Sequence, residues 1–185
     1  MSAMPVSSAR PGAPAIEDGF DVLDACHRQI VLGLGKMSAL VSRLAAHGID
    51  AEARSIAAEL LALFSTTVRQ HHEDEERHVF PRLVTDGSGE TIQAVLRLQQ
   101  DHDWLEEDWM ALSPHLEAIA AGQTWCDVES LHEGVGVFRA LLLDHIALEE
   151  SLIYPQARAA LLGAQRREMG REMAARRRAT RGRRV

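Results

Sequence analysis

The sequence predicts an all-α protein: an antiparallel up-down-up-down four-helix bundle followed by an additional C-terminal Arg-rich helix. Three observations predict it. Ala, Leu, Glu, Arg and Gln are abundant, whereas aromatic residues make up 4% of the 185 residues and β-branched ones are few, which favours helix over sheet. Four stretches repeat apolar side chains every three or four positions, as a helix with one buried face does. Turn signals separate them at HGID (47–50), PRLVTDGSGE (81–90) and AGQTWCD (121–127). Long amphipathic helices joined by short connections pack as a bundle.

The opening MSAMPVSSARPGAPA has no apolar signal core and reads as a flexible leader over residues 1–18. The bundle is expected over residues 19–157. Its first helix presents Phe20, Leu23, His27, Ile30, Leu34, Met37, Val41 and Leu44 on one stripe. The second presents Ala57, Leu60, Phe64, Val68, His71, Glu75 and Val79. The third gives Val95, Leu98, His102, Leu105, Trp109, Leu112, Leu116 and Ile119. The fourth gives Leu131, Val135, Phe138, Leu142, His145, Glu149 and Leu152. Pro81 and Pro155 are expected to end the second and fourth helices, since the ring removes a donor and clashes with the carbonyl four residues back.

Residues 158–185 are expected to form a basic helical tail. Residues 161–185 hold nine Arg against two Glu, a net +7, so the other 160 residues carry −14 to give the overall −7. That tail either lies on the acidic body or offers a surface to a protein partner. It has no interleaved aromatic residue for base stacking, and no nucleic acid is expected. No apolar run approaches the roughly 20 residues of a membrane span, so no membrane association is expected. Cys26 and Cys126 make neither a disulfide framework nor a zinc-knuckle spacing. They suit a reducing cytoplasm and read as buried or incidental rather than redox thiols. With no nucleophilic triad and no Gly-rich phosphate loop, any catalyst would have to be a metal.

Each stripe is broken once, by His27, His71, His102 or His145, and twice a glutamate follows one turn later, Glu75 and Glu149. Polar residues at core positions need partners. One core histidine ordinarily finds a hydrogen bond; four seams each broken once do not fit that explanation. The breaks also repeat. HHEDEERHVFP (His71 to Pro81) and HIALEESLIYP (His145 to Pro155) both read His-x3-Glu-Glu-x2-aliphatic-aromatic-Pro. His27 precedes His71 by 44 residues, and His102 precedes His145 by 43, so the chain is two copies of one helical hairpin.

Histidine and glutamate four residues apart share a helix face, about 6 Å apart along the axis, and can enter one cavity. Two buried carboxylates are very costly unless cations neutralise them. Imidazole and carboxylate without thiolate suit iron or manganese, with zinc possible. Six ligands for two ions, both carboxylates bridging, leave open coordination positions. His72, Glu73, Asp74 and Glu76 fall off the seam and read as solvated surface; the second copy has Ile146, Ala147, Leu148 and Glu150 there.

His27, HHEDEERHVFP, QQDHDWL around His102 and HIALEESLIYP together resemble the hemerythrin-like family of His–His–Glu cation-binding bundles. The resemblance implies a non-haem centre of two iron ions, oxo- or hydroxo-bridged, with manganese or zinc as alternatives. His27, His71, His102 and His145 would be terminal ligands, and Glu75 and Glu149 bridges. It implies a small ligand, O2, NO or peroxide, in oxygen or redox sensing, storage or detoxification. The rivals are iron donation or iron–sulfur centre repair, and a metal-responsive module acting through the Arg-rich tail.

Oxygen-carrying members have a fifth histidine one turn before the position of His102, where this chain has Leu98. That leaves His78, Glu106 or water to complete the site. Glu150 sits at the longer spacing of the oxygen carriers' second carboxylate; symmetry with Glu75 favours Glu149. His47, His115 and His132 read as surface, and Tyr154, Trp104 and Trp109 as packing residues.

Overall fold

The computed structural model describes residues 18–123 and 127–182, with no strand among the described residues. The first helix, α1 (Gly19–His47), starts at Asp18, whose carboxylate accepts the Phe20 N–H at 3.0 Å. It stops at Gly48, where φ is 69°, a conformation glycine adopts without strain. Asp50 caps α2 (Ala51–Ala62) in the same way, accepting from the Ala53 N–H at 2.8 Å. A π-helical stretch, Leu63–Val68, carries the chain into α3 (Arg69–His78), and α4 (Phe80–Asp86) follows.

Ser88 caps α5 (Gly89–Ala121), and Asp127 caps α6 (Val128–Leu148). A second π-helical stretch, Glu149–Ile153, leads to α7 (Tyr154–Ala160) and then α8 (Gly163–Gly182). Helices α1 and α5 each pack on α2 and α6, which closes the bundle. None of the described helices is long and apolar enough to cross a membrane. Residues 1–17 of the expected leader, and Cys126, lie outside the described residues.

Pro81 and Pro155 do not end their helices. Each sits in the first turn of a new segment, α4 or α7, where the missing N–H has no partner to lose. The chain therefore continues as helix to Asp86, and the connection to α5 shrinks to Gly87 and Ser88.

The stripes pack into two separate apolar layers. One contains Ile30, Leu34, Phe64, Leu105, Trp109 and Phe138; the other contains Phe20, Leu23, Phe80, Leu98, Ile153 and Met173. On every long helix the seam histidine falls where one layer gives way to the other, as His27 does between Leu23 and Ile30. The polar residues His27, His71, Glu75, His102, His145 and Glu149 thus form a level between them, none more than 6% exposed.

The Arg-rich helix lies on the acidic body. Met169 and Met173 of α8 enter the second layer, and a β-carbon on Gly19 would come within 2.4 Å of Met169 Cγ. Arg166 pairs with Asp18 at 3.2 Å, and Arg176 and Arg177 both donate to Asp74. Asp74, expected on the solvent face, is therefore buried, because α8 covers that side of α3.

Replacing Met173 with Ala is expected to lower the unfolding free energy by about 2–5 kcal/mol, the usual cost of truncating a packed methionine. Met110→Ala, at a position 67% exposed on α5, should change it by less than about 0.5 kcal/mol. Urea titration followed by helical circular dichroism measures both. A Met173 variant as stable as wild type would contradict the docking of α8.

Candidate metal centre

The i,i+4 geometry of α3 sends His71 and Glu75 inward together, and that of α6 does the same for His145 and Glu149. His27 arrives from α1 and His102 from α5. The Nε2 atoms of His27 and His71 are 3.1 Å apart. His27 Nε2 lies 3.1 Å from Glu149 Oε2, and His71 Nε2 lies 3.6 Å from Glu75 Oε2. On the other side His102 Nε2 is 3.5 Å from Glu75 Oε2, and His145 Nε2 is 2.9 Å from Glu149 Oε1.

Two overlapping groups result: His27, His71, Glu75 and Glu149, and His102, His145, Glu75 and Glu149. Within each, one donor atom per residue falls within 4.8 Å of the others. Each hairpin supplies both imidazoles of one group, and the two carboxylates are common to both. The structure thus brings together all six residues singled out from the sequence.

These atoms are short of partners. Glu75 Oε2, both carboxylate oxygens of Glu149, His102 Nε2 and His145 Nε2 are shielded from solvent and, beyond the ion-pair contacts within the site, make no hydrogen bond. Buried polar atoms are nearly always paired, so such a concentration marks a site built for something that pairs them. The titration behaviour agrees. Burial, reinforced by the neighbouring Glu149, pushes the Glu75 carboxyl up to about 7. Burial also opposes ionisation of Glu149, yet His145 holds it well below the usual carboxylate range. For His145, burial is outweighed by Glu149 and Asp101, which push it up to about 10. Four imidazoles and two carboxylates, without thiolate, fit a pair of first-row metal ions.

The outer faces of the imidazoles are held as well. His27 Nδ1–H donates to Glu150 Oε1 at 2.9 Å, and His102 Nδ1–H donates to Glu76 Oε1 at 2.8 Å. His145 Nδ1 faces Asp101 Oδ2 at 3.6 Å. A proton on Nδ1 leaves the Nε2 lone pair free to face a metal. This explains the Glu–Glu doublet in both copies of the repeat. Its first member turns inward, and its second crosses to the lone histidine of the other hairpin. Glu76, read from the sequence as solvated surface, and Glu150, weighed there as a bridge, both do this while staying about half exposed.

Three further residues reach this level without having been singled out for it. Asp101 is 1% exposed; it follows Leu98 by three and precedes Leu105 by four, so the stripe itself could have revealed it. Tyr154, read as packing, donates its hydroxyl to Glu75 Oε1 at 2.6 Å, and the hydroxyl oxygen is 3.1 Å from His27 Nε2. Its repeat equivalent, Phe80, also stacks on a site histidine, so only the hydroxyl sets Tyr154 apart. His72, read as surface, stacks on His102, with only part of its ring reaching solvent.

The expected substitutes for a fifth histidine lie elsewhere. His78 faces Glu172 and Arg176, and Glu106 faces Arg69 at 3.5 Å. Leu98 is fully buried in the second apolar layer. Cys26 is buried beside Arg177, and burial raises its thiol, which suits an inert residue. Trp109 packs between Phe64 and Phe138, whereas Trp104 is half exposed. His47 and His132 are exposed and His115 is partly buried.

Residues 18–157 match the hemerythrin HHE cation binding domain. Over 160 residues the chain is 32% identical to an uncharacterized protein of Haemophilus influenzae, covering 85% of this chain and 89% of that one. Over 133 residues it is 26% identical to the iron-sulfur cluster repair protein YtfE of Yersinia pseudotuberculosis and of Yersinia pestis. That match takes in 71% of this chain but 59% of the YtfE chains, so the chain spans less than two thirds of their length.

Glu76→Ala and Glu150→Ala are each expected to weaken ferrous ion binding by about 10- to 100-fold, the usual cost of removing a carboxylate that orients a ligand. Anaerobic competition against a coloured chelator measures this, with circular dichroism to check that helix content is kept. Affinities equal to wild type would show that the doublets do not orient the imidazoles.

Proposed function

The chain belongs to the hemerythrin HHE cation-binding family, and on that premise we propose that it is a non-haem di-iron protein that binds or reacts with O2, NO or peroxide. Its role would lie in oxygen or redox sensing, storage or detoxification. One observation carries this reading: four imidazoles and two shared carboxylates converge in a sealed level where five inward atoms face only other groups of the site. Iron in such a shell supplies a Lewis acid and a one-electron change at each ion.

The residues around it set the conditions. Phe64, Trp109 and Phe138 close the level on one side and Phe20 and Phe80 on the other, which keeps bulk water out. Tyr154 holds a proton at Glu75 Oε1; burial, and then the two carboxylates, keep its hydroxyl well above the usual phenol range, so it remains a donor. Asp24, Arg28, Glu150, Tyr154, Pro155 and Arg158 line a surface recess, which supports access for a small molecule from the Tyr154 side.

A second reading is iron delivery for the repair of iron–sulfur centres. It is favoured by the likeness to YtfE, and by Glu150, which touches His27 while lining that recess.

Anaerobic loading with ferrous iron is expected to give two ions per chain that survive a mild chelator. His71→Ala and His145→Ala should each lose iron together with the near-ultraviolet absorption that appears in air. Iron contents equal to wild type in both variants would remove the di-iron reading. Rapid transfer of iron to an apo-ferredoxin, with no spectral response to O2, NO or peroxide, would select delivery over small-ligand chemistry. Iron at about 100 times its dissociation constant should also add about 2.7 kcal/mol to the stability of the fold.

A further inference from the structure

The two halves of the metal level are not equivalent, and the difference falls on matching positions of the repeat. Ile146 follows His145 and packs in the first apolar layer; His72 follows His71 in its place. The hairpin therefore folds with an aliphatic side chain at this position, and an imidazole here needs another reason. Its ring lies flat on that of His102, with centroids 4.0 Å apart and planes 12° from parallel. Its centroid is 5.5 Å from that of His145. Its Nε2 is cut off from solvent and has no hydrogen-bond partner.

The surroundings are mostly apolar. His72 lies in a narrow cleft whose walls are Phe64, Val68, Leu105, Trp109 and Phe138, with the exposed Arg69 and Glu106 also lining it. Yet one ring nitrogen each of His72, His102 and His145 lies within 4.8 Å of the other two. Imidazole nitrogens sit about 2.0–2.1 Å from a bound ion such as zinc, so opposite donors on one ion are about 4.2 Å apart. A bound ion lies in the plane of each imidazole that holds it, so the three rings can share one once His72 turns out of its stack on His102.

We propose that His72 is a metal ligand, the third imidazole of the ion held by His102 and His145. This rests on the two-ion reading of the site. The His102 and His145 ion then has three imidazoles and two carboxylates, and the His27 and His71 ion two imidazoles and the same carboxylates. The exchangeable positions consequently fall on the His27 side, next to the Tyr154 hydroxyl and the surface recess, and away from the apolar cleft.

Cobalt(II) tests this, because its visible bands intensify as coordination number falls. The full-length wild-type chain should take up two cobalt ions. His72→Phe keeps an aromatic ring in the cleft and removes the nitrogen. It should release one of the two ions to chelator at least about tenfold faster, since losing even an outer partner of a ligand costs about 10- to 100-fold. Its visible bands should intensify for that ion alone, and His72→Ala should behave the same way. If His72→Phe holds both ions at wild-type rates with an unchanged spectrum, the ligand assignment is overturned and the two-ion reading stands. A wild-type chain that binds less than one cobalt ion overturns both.

Discussion

Two carboxylates, Glu75 and Glu149, sit fully buried within reach of one another's imidazoles, and the rest of the architecture follows from keeping them there. A charge in that position is tolerable only if something positive meets it and water does not. The two apolar layers supply the second condition. Helical periodicity on four helices supplies the first, because it alone can present four imidazoles at one height without distorting the backbone. The π-helical stretches fit the same demand. One lies just before His71 and the other begins at Glu149, where an extra residue in the turn re-aims the side chains that follow.

The C-terminal helix belongs to this scheme. Its methionines complete the layer beneath the site, and Arg176 and Arg177 neutralise Asp74, the immediate neighbour of Glu75. Removing one partner from a buried pair leaves an uncompensated charge, which costs far more than the pair contributes when intact. The Arg-rich segment is thus tied to this level through Asp74, the residue of α3 beside Glu75.

Much of this could be read from the sequence, and physics explains which parts. The broken stripes, the His-x3-Glu spacing and the doubled hairpin are local in the chain, and helix geometry converts local spacing into a shared face. Asp101 is just as legible, being on the stripe directly before His102. His72 and Asp74 were not legible, because whether they meet solvent depends on where other helices lie, a fact no spacing on α3 encodes. Tyr154 needed three dimensions too: only the approach of α1 and α3 turns its hydroxyl from a packing detail into a contact with Glu75. The prolines misled for a different reason. A proline that stops a continuous helix also suits the first turn of a new one; Val79 provides the interruption before Pro81, and the π-helical stretch the change of ladder before Pro155.

The two hairpins exchange side chains across the centre, each lending a glutamate to the other's histidine. Two separate copies of one such hairpin could assemble the same chamber as a twofold dimer, but identical chains must present identical walls. Here one wall carries His72 and Phe80, and its counterpart Ile146 and Tyr154. Joining the two hairpins in one chain lets mirrored positions diverge, so fusion gives this chamber what the symmetry of identical chains forbids: two halves that are lined differently.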